Sequence, residues 1–137
     1  MKIEIRPTSH INSQLRTMSS NKLHEKSLLF AVRCVKFYKY LCDDKKEFVI
    51  SKQLLRSGTS IGANIRESKN AESPQDFVHK LSIALKEADE SQYWLEVLKL
   101  SETINTDEYD SLHNDVRELV ALLTAVIKSV KSKNKIA

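Results

Sequence analysis

The sequence predicts an all-α protein, an antiparallel up-down-up-down four-helix bundle. Three observations lead there. The 137 residues include only two glycines and two prolines, far too few for the turns of an all-β fold. Apolar residues recur at alternating spacings of three and four over four long stretches, which is the period of a helix. The stretches are joined by short polar connections, so successive helices should pack as antiparallel neighbours. A chain of this length makes one domain with a real core.

Residues 1–19 are polar, contain Pro7 and show no helical stripe. Lys2-Ile3-Glu4-Ile5 alternates like a strand, but a single strand is not stable alone. This segment reads as an arm, flexible or docked, ahead of a bundle over residues 20–133 and a frayed tail at 134–137. The first helix is predicted from about Asn21 to Cys42, with Leu28, Ala31, Cys34, Val35, Tyr38, Leu41 and Cys42 as its core face. Asp43-Asp44-Lys45-Lys46 forms the turn. The second helix is predicted from about Lys46 to Asn70, with Leu54, Gly58, Ile61, Ile65 and Ser68 inward. Ser73-Pro74-Gln75-Asp76 opens the third: a serine cap, proline in the first turn and an acid beside the helix dipole. Its stripe is Phe77, Leu81, Ala84, Ala88, Ser91, Leu95 and Leu98. Thr106-Asp107-Glu108 opens the fourth, with Tyr109, Leu112, Val116, Leu119, Leu123, Val126 and Val130 inward.

Both glycines, Gly58 and Gly62, fall four residues apart inside the second helix. Each costs roughly 1 kcal/mol against alanine, and residues at i and i+4 share a face. Close packing explains the pair, with Asn64 in the same segment. Ala84, Ala88 and Ser91 on the third helix suggest that helices two and three make the close approach. A phosphate loop is excluded, because no strand precedes the glycines and no Gly-Lys-Ser/Thr follows.

Familiar chemistry is absent. Asp76-x-x-His79 and Asp110-x-x-His113 resemble half of a di-metal site. They open antiparallel helices, so the bundle length of roughly 35 Å separates them. His10 and His24 have no ligand-spaced partners. No metal, cofactor or catalytic residue is therefore expected, and the chain does not read as an enzyme. The arginine–histidine signature of helical-bundle ribonucleases is missing. Arg6 and His10 lie in the arm, Arg16 and His24 are too far apart, and no histidine follows Arg117. Glu87 and Glu90, with Asn64 and Glu67, read as a structural polar cluster. Cys34 and Cys42 would lie about 12 Å apart along one helix, beyond disulfide reach. Thiols of this kind, with no signal-peptide core and no membrane-length apolar run, point to the cytoplasm.

Charge is segregated. Residues 1–70 carry 14 Lys/Arg against 6 Asp/Glu, a net of +8; residues 71–125 carry 4 against 12, a net of −8; the tail from 126 adds Lys128, Lys131, Lys133 and Lys135. On a helical wheel Lys22, Lys26, Arg33 and Lys36 fall in one arc opposite the expected core face of the first helix. Lys45, Lys52, Arg56 and Arg66 do the same on the second, with Lys39 and Lys69 beside them. Two neighbouring basic faces suit a polyanion or subunit ion pairs. No arginine–aromatic pattern of base readout accompanies them, so binding of RNA or DNA should be led by the backbone and sensitive to salt. The third helix carries a second apolar set, Ile83, Tyr93, Trp94 and Val97. A bundle helix needs one buried face, so this set reads as a subunit interface. Phe30 and Phe37 are expected beside the basic face of the first helix. Unlike faces meeting head to tail close into a ring when the rotation allows.

The segments Arg56-Ser57-Gly58-Thr59-Ser60-Ile61-Gly62-Ala63-Asn64-Ile65-Arg66-Glu67-Ser68, Ser73-Pro74-Gln75-Asp76-Phe77 and Lys80 to Glu96 resemble the bacterial 23S rRNA intervening-sequence proteins, also called the S23 ribosomal protein family. That family includes the accessory variability determinant of diversity-generating retroelements. The resemblance covers residues 20–130. It implies a homopentameric ring of four-helix bundles. For the retroelement members it implies a basic surface that binds nucleic acid and a reverse transcriptase. Two functional expectations follow. One is an oligomeric nucleic-acid-associated accessory protein. The other is a scaffold or assembly factor whose basic faces are subunit contacts.

Overall fold

Each apolar period becomes one helix. The computed structural model describes residues 22–137, so the arm expected over residues 1–19 lies outside the described residues. The helices are α1, Lys22–Asp43; α2, Ile50–Ser68; α3, Pro74–Leu100; and α4, Thr106–Asn134.

The caps explain the boundaries. Ser73 is extended and its hydroxyl accepts from the Asp76 N–H at 3.0 Å, with Pro74 behind it, as the sequence predicts. Asn105 caps α4 in a reciprocal box: its side chain accepts from the Glu108 N–H, and Glu108 accepts from the Asn105 N–H. The second helix starts later than predicted, at Ile50 rather than near Lys46. Its first turn is organised by the Glu47 carboxylate, which accepts from the N–H groups of Val49, Ile50 and Ser51 at 3.1, 3.1 and 2.6 Å. Lys46 turns the chain there with φ of 55°.

Cross-helix contacts fix the directions. Gly58 meets Cys34 and Phe30, Gly62 meets Ser27, and Arg66 meets His24, so α1 and α2 are antiparallel. Ser57 pairs with Ser91 and Glu67 with Lys80, so α2 and α3 are antiparallel too. Lys99 lies over the Tyr109 ring at the α3–α4 turn. Arg33 with Asp115 and Lys26 with Glu118 show α4 returning antiparallel beside α1. The α1–α4 seam has far less packing than the other three.

Most of the predicted stripes of α2, α3 and α4 form the core: Leu54, Ile61, Ile65, Leu81, Ala84, Ala88, Leu95, Leu98, Leu112, Val116, Leu119 and Leu123 are buried, while Phe77, Tyr109, Val126 and Val130 are half-buried. The α1 stripe is a correction. Leu23, Phe30, Cys34, Phe37 and Leu41 face the core, with Phe30 at 1% and Phe37 at 0% exposure. Val35 is 39% exposed, and Leu28, Ala31, Tyr38 and Cys42 are half-buried. The helix carries two apolar stripes that share Cys34 and Leu41. The stripe with two phenylalanines removes more apolar area from water, so it takes the core.

The glycines need a second correction. They do serve close helix approach, but toward α1 rather than α3. A β-carbon on Gly58 would collide with Cys34 Sγ, and one on Gly62 would lie 3.3 Å from the Ser27 carbonyl oxygen. The α2–α3 seam is narrowed by Ala84, Ala88 and a buried serine pair, with Ser57 and Ser91 hydroxyl oxygens 2.9 Å apart. Asn64 crosses to neither neighbour; its side chain donates to Ser60 O one turn back. Cys34 is a buried thiol and Cys42 a half-buried one. Among the described residues no helix is long and apolar enough to cross a membrane.

Candidate nucleic-acid interface

The rotation of α1 redistributes the basic residues. Lys22 and Lys36 remain exposed on its outer side with Lys39. Lys26 and Arg33 instead lean onto α4, so their arc is not opposite the core. Lys26 Nζ lies 2.6 Å from Glu118, and Arg33 reaches Asp115 at 2.5 Å. Arg33 also donates to the Ser111 carbonyl at 3.1 Å and to its hydroxyl at 2.6 Å. These two cations are already paired within the chain, which lowers what they can offer a phosphate.

On α2, Lys52, Arg56 and Arg66 are exposed, as is Lys69 beyond its end. Arg66 Nη2 sits 3.2 Å from His24 Nε2. Burial, then the Lys69 and Arg66 charges, hold His24 below the ordinary histidine range. The imidazole is thus the neutral base of this pair. Lys45 lies in the α1–α2 turn with its ammonium 5.9 Å from the Tyr40 ring centroid. It shares a cleft at that end of the bundle with Lys99, Leu100 and Glu102. Outside the two α4-paired residues, the predicted basic set is exposed on α1, on α2 and in the turn between them, with half-buried Leu29 and Val32 between Lys22 and Lys36.

The acidic side lies on α3 and α4. Burial, then the neighbouring Glu90 carboxyl, push Glu87 above the usual carboxylate range, and Arg56 pulls the other way. Glu67 reaches Lys80 only loosely, at 3.8 Å. The four residues read as one polar cluster do not join: Asn64 serves its own helix, Glu67 faces Lys80, and Glu87 and Glu90 pair with each other.

The second apolar set of α3 is outside the core. Tyr93 is 57% exposed, while Ile83, Trp94 and Val97 are half-buried. Tyr93 and Trp94 meet edge to face at 4.9 Å. The indole N–H is buried and has no acceptor among the described residues. Asp76 and His79 lie at the start of α3, Asp110 and His113 at the opposite end of the bundle. His113 stacks on Tyr109, and Asp76 accepts from the Glu72 N–H. Among the described residues no group of His, Cys, Asp and Glu is placed to hold a metal ion.

Two features escaped the sequence reading. The displaced stripe of α1 lines an apolar groove against α2, with Leu28 and Ala31 facing Thr59, Gly62 and Ala63. The turn end of the bundle also exposes Phe48, Val49 and Leu100, at 55%, 69% and 82%. The sequence places Phe48 and Val49 within a longer α2. The usable signal was Glu47, an acid placed to cap a helix beginning three residues later.

The family description "23S rRNA-intervening sequence protein" matches residues 19–125. The chain belongs to this family. A crystal structure at 1.70 Å from Bacteroides thetaiotaomicron VPI-5482, of a protein of unknown function from the S23 ribosomal protein family, is similar to it. The two are 57% identical with a TM-score of 0.76, over 77% of this chain and 98% of the other. No curated protein matches. Membership agrees with the segments singled out from Arg56 onward. In the fold, the same segments supply the α1–α2 approach, the serine pair and the exposed α3 aromatics.

Proposed function

We propose that this 23S rRNA-intervening sequence family member is a non-enzymatic, oligomeric accessory protein that binds the backbone of RNA or DNA. The outer faces of α1 and α2 form the binding surface. The observation that carries this reading is the exposure of Lys22, Lys36, Lys39, Lys52, Arg56, Arg66 and Lys69 on two adjacent helices, set against a chain whose acids concentrate in residues 71–125. Exposed cations of this kind neutralise phosphates by releasing counterions, which needs no base contact. The exposed Tyr93, packed edge to face on Trp94, supports a subunit interface on α3. A homopentameric ring, implied by the family resemblance, would repeat the basic face and raise avidity. The resemblance to retroelement members also names a reverse transcriptase as a protein partner.

The test is fluorescence anisotropy with labelled RNA and DNA over a range of salt. Affinity should fall steeply, each phosphate contact adding close to one unit to the log–log slope. Lys36→Glu, Lys52→Glu, Arg56→Glu and Arg66→Glu together should abolish binding while the oligomer survives. Wild-type protein that binds neither polymer at low salt rejects the reading. A quadruple variant that falls apart instead assigns these residues to subunit contacts and favours the scaffold.

A further inference from the structure

We infer that Phe48 is a stacking platform for an unpaired base, making a single-stranded segment the preferred ligand of the basic face. This rests on the nucleic-acid reading above. It adds what that reading lacks, a discrimination between single strands and duplexes.

Phe48 stands 55% exposed in the α1–α2 turn with Val49 beside it. Exposure alone would be unremarkable; what matters is how the turn is built. Glu47 N donates to Leu41 O at 2.9 Å, and its carboxylate takes three N–H groups at positions 49, 50 and 51. The Ser51 hydroxyl donates back to Glu47 O at 2.9 Å. The backbone on both sides of Phe48 is therefore tied down, and the ring is held out from the bundle. The backbone that carries the ring is fixed before a ligand arrives, which reduces the entropy lost on binding.

The surroundings suit a nucleic-acid strand. Lys46 precedes the turn and Lys52 follows it, both exposed. Lys36 and Lys39 on α1 lead up to the turn, and Lys52 and Arg56 lead down α2. Within each pair the two cations are about one helical turn apart, about 4.5 Å and about 6 Å by helix rise. Glu47 spends its charge on the helix N-terminus, and Asp44 lies where its charge reaches the Tyr40 phenol, on the α4 side. Asp43 is the remaining exposed acid of the turn. Cations tracking a backbone beside an exposed aromatic face form the general device for sequence-tolerant single-strand binding. Bases inside a duplex are already stacked and cannot reach a ring at the end of a bundle.

The experiment compares a single-stranded oligonucleotide containing 2-aminopurine with its duplex. Phe48→Ala should weaken the single strand about 5- to 150-fold, the range of one stacked base, and leave the duplex within about twofold. Phe48→Trp should retain affinity and the quenching of 2-aminopurine. Phe48→Leu, equally apolar but without a π face, should lose both. Asp43→Asn should tighten binding of either ligand. Circular dichroism confirms that each variant folds. If Phe48→Ala and Phe48→Leu bind the single strand as wild type does while Lys52→Glu with Arg56→Glu loses it, stacking is overturned and backbone binding stands. If Phe48→Ala changes the oligomer mass instead, this end is a protein contact and the inference fails. If wild type binds no nucleic acid at low salt, the reading beneath it fails first.

Discussion

At Gly58 the β-carbon of any other residue would enter the space of Cys34 Sγ, with Phe30 close behind. Gly58→Ala should therefore destabilise the fold by about 1–3 kcal/mol, the range for overpacking, although alanine gains about 1 kcal/mol in helix propensity. Denaturant titration should show most of that loss recovered in Gly58→Ala/Cys34→Ala, because the second change removes the obstructing sulfur. An equally destabilised double variant would place the strain elsewhere. The sequence disclosed that something approaches the glycines, since two mid-helix glycines on one face need a reason. It could not disclose which helix approaches, because that depends on how α2 is rotated between two neighbours. Glu47 gives a second residue-scale test. Burial raises its pKa, but hydrogen bonds from Ser51, Ile50 and Val49 prevail and hold it below the ordinary 4.5. A lowered folded pKa contributes stability above the unfolded value, lost as pH falls through the folded one. Glu47→Gln should cost about 1 kcal/mol at pH 7, as helix caps do. Melting curves of the two proteins should converge on acidification through the carboxylate range.

Among the elements, α2, α3 and α4 were legible and α1 was not. On α3 the stripe Leu81, Ala84, Ala88, Ser91, Leu95 and Leu98 runs unbroken along the helix, while the second set of Ile83, Tyr93, Trp94 and Val97 is interrupted by Lys86 and Glu90. α1 offers two apolar stripes separated by less than a third of a turn, and its lysines lie to one side of both. Periodicity finds a helix in such a sequence but cannot choose its rotation; the volume of Phe30 and Phe37 chooses it. That rotation sends Arg33 to α4, where its side chain is 11% exposed against 40% for Asp115. A double-mutant cycle of Arg33→Ala and Asp115→Ala should give a coupling of about 1 kcal/mol, the upper end for partly exposed pairs. Hydrogen exchange should accelerate first along α1 and α4 in the Arg33→Ala protein. A coupling near zero would make the pair incidental to the seam.

For the whole molecule, the charge asymmetry and the family were both legible in the chain, while the Phe48 end was not. Its exposure follows from three backbone hydrogen bonds to one carboxylate, and no hydropathy pattern records those. Assembly is the property to test at this scale. Light scattering at micromolar concentration should report a multiple of the 15.7 kDa chain mass, and Tyr93→Glu should reduce it by placing a charge in the proposed α3 interface. A monomeric wild type would reject both the ring and the avidity argument.

The sparsely packed α1–α4 seam has a practical meaning for every ionic-strength experiment on this protein. Lys26–Glu118 and Arg33–Asp115 face partly into solvent, and mobile ions weaken such pairs over the same concentrations that strip counterions from a polyanion. Raising the salt would thus loosen the clasp of the bundle while it weakened the proposed nucleic-acid contact. The binding slope measured by titration contains both responses, and the phosphate count it yields is correct only after a melting curve in each buffer has removed the first.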